Sequence, residues 1–164
     1  MTKNISRVKA VRPGEAPYTL IVTWTDKRRT TIDMTGVVAR SERFTALREP
    51  DAFNDVEVIT HGWGIGWGCG LDYAAQSLDR LAREQEPMTG DDFARWQNGL
   101  ALSNQETADV LGVTLSTVKN YRRKKGALPA VVTIACSALA EDRTAFFAHF
   151  RPRHAGRPRV KAAG

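Results

Sequence analysis

The segment LGVTLSTVKNYRRKKG, residues 111–126, carries residue types that suit the binding of a polyanion. Short hydroxyl and amide side chains come first, and five basic residues follow within the last eight positions. Hydroxyl and amide groups can hydrogen-bond to base edges, whereas lysine and arginine neutralise phosphates. The order of these residue types predicts a helix that meets the bases of a nucleic acid at its start and the phosphates at its end.

Positions in and before this segment are assigned to two kinds of DNA contact. Asn120 is the first candidate for reading a base, because its amide can pair with adenine through two hydrogen bonds. Lys119 and Arg123 could reach either guanine edges or phosphates. The full set expected to face bases is Thr114, Ser116, Thr117, Lys119, Asn120 and Arg123. The set expected to bind phosphates is Asn104, Gln105, Arg122, Lys124 and Lys125. The alternative is that 119–125 is only a solvated basic face.

Positive charge is concentrated in the last part of the chain, residues 119–164. The net charge of the whole chain is +6, yet residues 1–86 contain 12 basic and 12 acidic side chains and are neutral. Residues 119–164 contain 11 basic and two acidic side chains, a net charge of +9. A focused positive field of this kind favours a polyanionic partner. The charge distribution therefore predicts a nucleic acid as the partner.

The elements that would position these residues are helices. Apolar residues recur at helical spacing after Pro87, and breakers separate the runs. Gly112 is expected to end the helix before the basic segment, and Thr114 to cap the helix that carries it. The predicted helices are 91–101, 104–111, 115–125 and 129–140, with 141–150 either continuing the last one or forming a fifth.

Two short helices joined by a glycine-centred turn predict a helix-turn-helix. Ala108 is small, as a close crossing of the two helices requires, and Gly112 supplies the positive φ of the turn. Val113, Val118 and Tyr121 have the separations that hold the second helix on the first. Through these residues the chain resembles the lambda-repressor-like helix-turn-helix family, of the Cro/C1 or xenobiotic-response type, over about 91–140.

The resemblance implies an all-α domain, 87–150, that binds double-stranded DNA. It also implies that 115–125 is the recognition helix, which enters the major groove. By analogy with the family, we expect a homodimer that binds half-sites about one helical turn apart. The dimer contact is expected either at the N-terminal sheet or at a face formed by Phe146, Phe147 and Phe150, unless these phenylalanines belong to the core.

The N-terminal part, 1–86, has the pattern of a small α+β domain. Runs rich in β-branched and aromatic residues are separated by turn residues, which predicts an antiparallel sheet with a hairpin turn at 26–29. A loosely patterned stretch, 35–47, suggests a turn and a short helix. A later helix is expected to be capped by Asp72 and to bury Ala74, Leu78, Leu81 and Ala82. The predicted strands are 5–12, 18–25 and 30–34, with a helical turn and strand over 52–60, and the predicted helix is 73–85.

The run HGWGIGWGCG, residues 61–70, alternates large residues with glycine. A period of two predicts a strand. The simpler interpretation is that its large side chains enter the core while its glycines allow close packing. The alternative is an aromatic ligand-binding face made by Trp63 and Trp67. A ligand-sensing regulator would need such a face.

The N-terminal part also resembles a known family. The residues that carry the resemblance are Phe44, Leu47, Phe53, Val56, Val58, Trp67 and the run Gly70-Leu71-Asp72. They make residues 5–85 similar to the bacterial domain of unknown function 2442 family. That family implies a small α+β domain, sometimes fused to a helix-turn-helix. Its name implies no chemistry.

The tail 151–164 is basic and contains proline and glycine, so we expect it to be disordered alone. Its run Gly156-Arg157-Pro158-Arg159 resembles the core of an AT-hook, which is an arm for the minor groove. A solvated basic tail is the simpler interpretation. In either case the tail would add affinity for phosphates.

Other functional classes have little support in the sequence. His61, His149 and His154 belong to no catalytic or metal-binding motif, so neither an enzyme nor a metal or cofactor site is expected. Cys69 and Cys136 are far apart and suggest reduced thiols, although a single disulfide stays possible. The chain has no apolar run of membrane-spanning length and no signal peptide, which predicts a bacterial cytoplasmic protein without a membrane partner.

The sequence thus predicts a DNA-binding transcriptional regulator with two domains and no catalytic activity. The alternative is a protein-interaction module of the antitoxin type. In that case the N-terminal domain binds a partner protein and DNA binding serves autoregulation.

Overall fold

The computed structural model describes residues 6–153. The chain divides into two compact units, with the boundary between Glu86 and Pro87. Each unit has a hydrophobic core of its own. Among the described residues, no helix has the length and apolar character needed to cross a membrane.

The first unit contains two antiparallel sheets of three strands each. One sheet consists of β1 (Val8–Pro13), β2 (Thr19–Trp24) and β3 (Arg29–Asp33), and the other of β4 (Val56–Ile59), β5 (Gly64–Trp67) and β6 (Asp72–Ala74). Its α-helices are α1 (Thr35–Arg40), α2 (Pro50–Asn54) and α3 (Ala75–Gln85), with 3₁₀ turns at Glu42–Arg48 and Thr60–Gly62. The predicted combination of a small antiparallel sheet with helices is confirmed, although the strands form two sheets.

Strand β2 lies at the centre of the first sheet, paired with β1 on one side and β3 on the other, and its side chains alternate strictly between buried and half-buried. Leu20, Val22 and Trp24 are fully buried, as expected for a strand with one face on the core. Leu20 is paired with Ile32 of β3, and Trp24 with Val8 of β1. This alternation fixes the register, since a slip of one residue would turn the apolar set toward solvent.

The glycine-rich run forms a shorter strand than its alternation predicts. Only Gly64–Trp67 is β5, because the chain turns sharply before it. His61 has a φ of 57° and Gly62 a φ of 88°, and a Cβ on Gly62 would lie 2.4 Å from the Val8 carbonyl oxygen. The alternation predicts that the large side chains of the run are buried. Ile65 and Trp67 are buried, whereas His61, Trp63 and Cys69 are exposed.

The two tryptophans of that run do not share an exposed aromatic face. Trp67 is buried, and its Nε1 donates a hydrogen bond of 2.9 Å to the Phe53 carbonyl. Trp63 is 41% exposed and lies under the Arg7 guanidinium, 4.1 Å from the ring centroid. The core interpretation therefore holds for Trp67, and the ligand face built from both rings is wrong.

The prediction that Asp72 caps the following helix is also wrong. Asp72 lies in β6 and pairs with Arg43, while Ala74 precedes α3 without a side-chain cap. Residues 73 and 74, which were predicted to begin the helix, belong to β6, so α3 begins at Ala75. As a result Ala75, and not Ala74, is the small residue buried at the start of α3.

Asp79 on α3 is a buried carboxylate that sequence reasoning missed. It accepts hydrogen bonds from Ser6 (2.9 Å), Arg28 (3.1 Å) and Arg83. Burial alone would raise the pKa of Asp79, but the hydrogen bonds from Arg83, Arg28 and Ser6 outweigh it and lower the pKa. The charged carboxylate is therefore the form that the fold stabilises.

Acid should weaken the first unit through Asp79. Because the folded pKa lies below the ordinary 3.8, the unfolded chain takes up this proton first as the pH falls. The contribution is present above about pH 4 and is lost below it. We expect Asp79→Asn to cost about 1–2 kcal/mol at pH 7, a modest amount because both arginines are partly in solvent. Urea unfolding at pH 7, 5 and 3 tests this, and an equal loss in both proteins on acidification would contradict it.

The described part of the second unit contains only helices. They are α4 (Gly90–Gly99), α5 (Asn104–Leu111), α6 (Leu115–Arg123), α7 (Ala130–Glu141) and α8 (Arg143–His149). Its core is formed by Phe93, Ala108, Val118, Leu128, Val132 and Cys136. The basic helix ends at Arg123, two residues before the predicted end, because Lys124 is extended with a φ of −74° and a ψ of 120°.

Both cysteines are free thiols, so the possible disulfide does not form, and their environments differ sharply. Burial raises the pKa of Cys136 to about 12, whereas Cys69 is exposed. Thiolate is the reactive form of cysteine. We expect an aromatic disulfide reagent at pH 8 to modify one thiol per chain in the folded protein and both after denaturation. Mass spectrometry should place the fast modification on Cys69, and fast modification of Cys136 would contradict the burial.

Candidate nucleic-acid interface

Helix α5 begins with a reciprocal pair of hydrogen bonds. The Ser103 backbone N–H donates to the Glu106 carboxylate (2.9 Å), and the Glu106 N–H donates to the Ser103 hydroxyl (3.2 Å). This capping box satisfies donors that the first turn would leave unpaired. Hydrogen bonds to the carboxylate from the Ser103 backbone and side chain, and then from the Arg153 backbone, lower the pKa of Glu106. Asn104 and Gln105, two of the predicted phosphate contacts, are thereby fixed in the first turn of α5, where both are half-buried.

The connection between α5 and α6 takes three residues and one left-handed turn. Gly112 has a φ of 65° and ends α5, and the Val113 N–H returns to the Ala108 carbonyl (2.9 Å). Thr114 then caps α6 by accepting the Thr117 N–H (3.1 Å). The Thr114 hydroxyl also lies within hydrogen-bond distance of those of Ser116 and Thr117. Thr114 thus has its hydroxyl engaged in holding the start of α6.

The inner side of α6 is locked to the rest of the unit. Val118 is fully buried, and Tyr121 packs edge-on against Phe93 with ring centroids 5.6 Å apart. Thr107 on α5 is also fully buried, a polar residue in an apolar setting. Its hydroxyl donates to the Ser103 carbonyl (2.9 Å), which satisfies the group and explains its burial.

The outer side of α6 presents a line of polar and basic side chains. Ser116, Asn120 and Arg123 are exposed and are spaced by four and three residues, so they lie on one face of the helix. Lys119 is exposed beside this line, and Thr117, half-buried, lies at its other edge. Within the described part of the chain, Lys119, Asn120 and Arg123 have no side-chain hydrogen bond to protein. Their donors are therefore available to an external partner.

The remaining predicted phosphate contacts lie apart from this line. Arg122 is half-buried and donates a hydrogen bond to the Gln97 side-chain oxygen on α4. Lys124 and Lys125 are exposed and follow the end of α6. The structure thus places Ser116, Asn120 and Arg123 together on the outer line, Arg122 inside, and the two lysines beyond the helix.

Gln97 is a buried residue of this region that sequence reasoning missed. It is 2% exposed and lies one turn after the core residue Phe93, a position at which the pattern allows an apolar residue. The helical spacing of large apolar residues in this segment instead predicts a core of Phe93, Trp96 and Leu100. Of these only Phe93 is fully buried. The spacing of four from Phe93 was the signal that could have indicated Gln97.

The start of the basic tail is bound to α5. Arg153 forms two hydrogen bonds to the Asp109 carboxylate (2.7 and 2.9 Å), and its backbone N–H donates to Glu106 (3.1 Å). The Arg153 guanidinium lowers the pKa of Asp109. The AT-hook-like run 156–159 lies outside the described residues.

Helix α7 carries an exposed apolar face. Val131 is 71% exposed and Ile134 65% exposed, and their spacing of three places them on one side of the helix. On α8, Phe146 and Phe150 stack with centroids 5.3 Å apart and are half-buried, while Phe147 is 60% exposed. The predicted phenylalanine face is therefore divided between internal stacking and exposure.

Comparisons with known proteins bear on the first unit. Residues 8–84 match the family described as protein of unknown function (DUF2442). This confirms the resemblance seen in the N-terminal sequence. None of the candidate DNA contacts lies within the DUF2442 segment. Between residues 6 and 153, no cluster of three or more potential metal ligands is present.

Two further comparisons cover the chain as a whole. No curated protein matches it. A solved structure described as a candidate DNA-binding protein from Nitrosomonas europaea ATCC 19718 is 21% identical, covers 94% of both chains and superimposes with a TM-score of 0.42.

Proposed function

We propose that the chain binds double-stranded DNA through α5 and α6, which act as a helix-turn-helix with α6 in the major groove. The observation that carries the proposal is the exposed line of Ser116, Asn120 and Arg123 on a helix whose opposite side is held by Val118. A helix that enters a groove needs this division, with a rigid inner side and exposed polar side chains outside, of which Asn120 and Arg123 have unpaired donors.

The charge distribution supports the same proposal. Lys119 and Arg123 are exposed on α6, and Lys124 and Lys125 follow it. Cations at the end of a helix are also favoured by its dipole. Each phosphate that a lysine or arginine neutralises releases a counterion and makes binding weaker in salt. The basic end of α6 thus supplies affinity, and the polar line supplies sequence preference.

We further propose that the DNA-binding form is a homodimer and that its role is transcriptional regulation. Symmetric dimers of helix-turn-helix proteins bind DNA half-sites about one helical turn apart. The exposed Val131 and Ile134 of α7 give an uncharged apolar face, which is the kind of surface that can face its own copy in a two-fold contact. This face replaces the phenylalanine face as the favoured contact.

Fluorescence anisotropy with labelled duplexes tests the proposed function. One duplex carries the DNA upstream of the protein's own coding sequence, and the other has the same composition in scrambled order. We expect the wild type to prefer the upstream duplex and Asn120→Ala to lose that preference. Losing both hydrogen bonds to one base should cost about 1–3 kcal/mol of discrimination.

A matched variant separates base reading from a general effect. Asn98→Ala truncates an exposed asparagine at the end of α4 and should keep the preference. Equal, steeply salt-dependent binding of both duplexes by the wild type would mean that only the basic residues act. Absence of binding to either duplex at low salt would refute the proposal.

A further inference from the structure

The side chain of Gln97 joins three segments of the second unit. Its Nε2 donates to the Leu102 carbonyl (3.0 Å) and to Oδ1 of Asn104 (3.0 Å), and its Oε1 accepts from Arg122. These partners lie in the α4–α5 loop, the first turn of α5 and the last turn of α6. A buried amide with three of its four hydrogen-bonding positions occupied has one allowed orientation.

The partners fix which atom of each amide faces which way. The Leu102 carbonyl can only accept, so the nitrogen of Gln97 must face it, and the Arg122 guanidinium can only donate, so the oxygen must face that. Asn104 then meets an NH₂ group and must present its oxygen to Gln97. Its own NH₂ group has no protein partner among the described residues and is left for an acceptor outside the protein.

Sequence reasoning placed Asn104 at the DNA backbone, whose phosphate oxygens are such acceptors. We propose that Gln97 is a positioning residue for DNA binding, which holds the Asn104 amide with its NH₂ group directed to a phosphate. The inference rests on the proposed function, because the acceptor it names is DNA. Gln97 itself, at 2% exposure, touches no DNA and acts through Asn104.

Gln97→Glu tests whether Gln97 orients the Asn104 amide. A glutamate keeps the acceptor for Arg122 but has no NH₂ group, so Asn104 must turn to donate to it and would present its oxygen to the phosphate. We expect binding of the upstream and the scrambled duplex to weaken equally, about tenfold, since phosphate contacts carry no sequence information. In an Asn104→Ala background the same change should weaken binding less than about twofold, because the group that Gln97 positions is gone.

If Gln97→Glu fails to fold, a second pair of variants tests whether the Asn104 NH₂ group faces a phosphate. Asn104→Asp keeps the oxygen that Gln97 contacts and replaces the outward NH₂ group with a carboxylate oxygen. It should weaken binding of both duplexes about tenfold, and more than Asn104→Ala does, while an acid in the first turn of α5 leaves stability intact. Asn98→Asp, on the exposed side of the end of α4, adds the same charge and should change affinity by less than about twofold.

Nuclear magnetic resonance of side-chain amides provides a readout without DNA. In ¹⁵N-labelled protein we expect Gln97→Glu to shift the Asn104 NH₂ signals and slow their exchange with solvent, because they gain a carboxylate partner. Unchanged Asn104 signals would overturn the positioning, even if DNA binding persists. Independent, multiplicative losses from Gln97→Glu and Asn104→Ala would also overturn it. A wild type that binds neither duplex refutes the proposed function and the phosphate contact together, even if the shifted signals show that the amide is oriented.

Discussion

Arg123→Glu should weaken duplex binding at least about 100-fold at low salt while leaving the fold intact. Arg123 is exposed, has no side-chain partner among the described residues, and continues the outer line of Ser116 and Asn120. The variant removes one phosphate-neutralising charge and places a carboxylate against the DNA backbone, so a lost contact and a repulsion add. Anisotropy titration from 50 to 200 mM salt measures the affinity, and we expect the salt slope to decrease by about one or more.

The matched control for this charge reversal is Arg40→Glu. Arg40 is exposed at the end of α1 in the first unit, and its substitution changes the net charge by the same amount. If the loss came from net charge alone, both variants would bind equally weakly. Wild-type affinity in Arg123→Glu, with circular dichroism showing an unchanged helix content, would remove α6 from the DNA-binding surface.

Gly90→Ala should destabilise the second unit by about 2 kcal/mol, although alanine is the better helix former. A Cβ on Gly90 would lie 2.5 Å from the Lys124 carbonyl oxygen and 2.6 Å from that of Tyr121. Both obstacles are backbone atoms, which cannot move without shifting the end of α6. The hydrogen bond of 3.0 Å from the Gly90 N–H to the Lys124 carbonyl would be lost with the close approach.

The same helix offers an opposite control in Gly99→Ala. A Cβ there meets no atom within 4 Å, so the change should be neutral or stabilise by up to about 1 kcal/mol through helix propensity. Urea unfolding followed by the circular dichroism of the helices compares the two variants. Equal effects of the two substitutions would contradict the close approach at Gly90. Since α6 carries the proposed contacts, Gly90→Ala should also weaken DNA binding, and Gly99→Ala should not.

Local signals made the elements of the second unit predictable from sequence. Helix α5 has the predicted bounds, 104–111, because Ser103, Glu106 and Gly112 specify its ends through hydrogen bonds within a few residues. Thr114 caps α6 as expected. The predicted end of α6 was too late because lysines are compatible with a helix, and nothing in the run RRKK marks the point where the backbone becomes extended.

Contacts that are distant in sequence explain what could not be predicted. Asp79 is buried because Ser6 and Arg28, from the other end of the first unit, come to it. Gln97 is buried because Arg122 and Asn104 supply hydrogen-bond partners for its side chain, and the local sequence pattern does not indicate these partners. The alternation of HGWGIGWGCG predicted a long strand, whereas the backbone of Val8 forces a turn at Gly62. In each case a tertiary partner overrides the local pattern.

Two backbone hydrogen bonds close the three-helix segment of the second unit on itself. The Gly90 N–H reaches the Lys124 carbonyl at 3.0 Å, and the Leu128 N–H reaches the Met88 carbonyl at 2.8 Å. The segment 88–128 therefore begins and ends at one place. A piece of chain with adjacent ends can be exchanged, inserted into a host loop or circularly permuted without stretching what flanks it. Any such transfer of α4 to α6 would need a host surface in place of Val132 and Cys136, since these two residues of α7 belong to the same core.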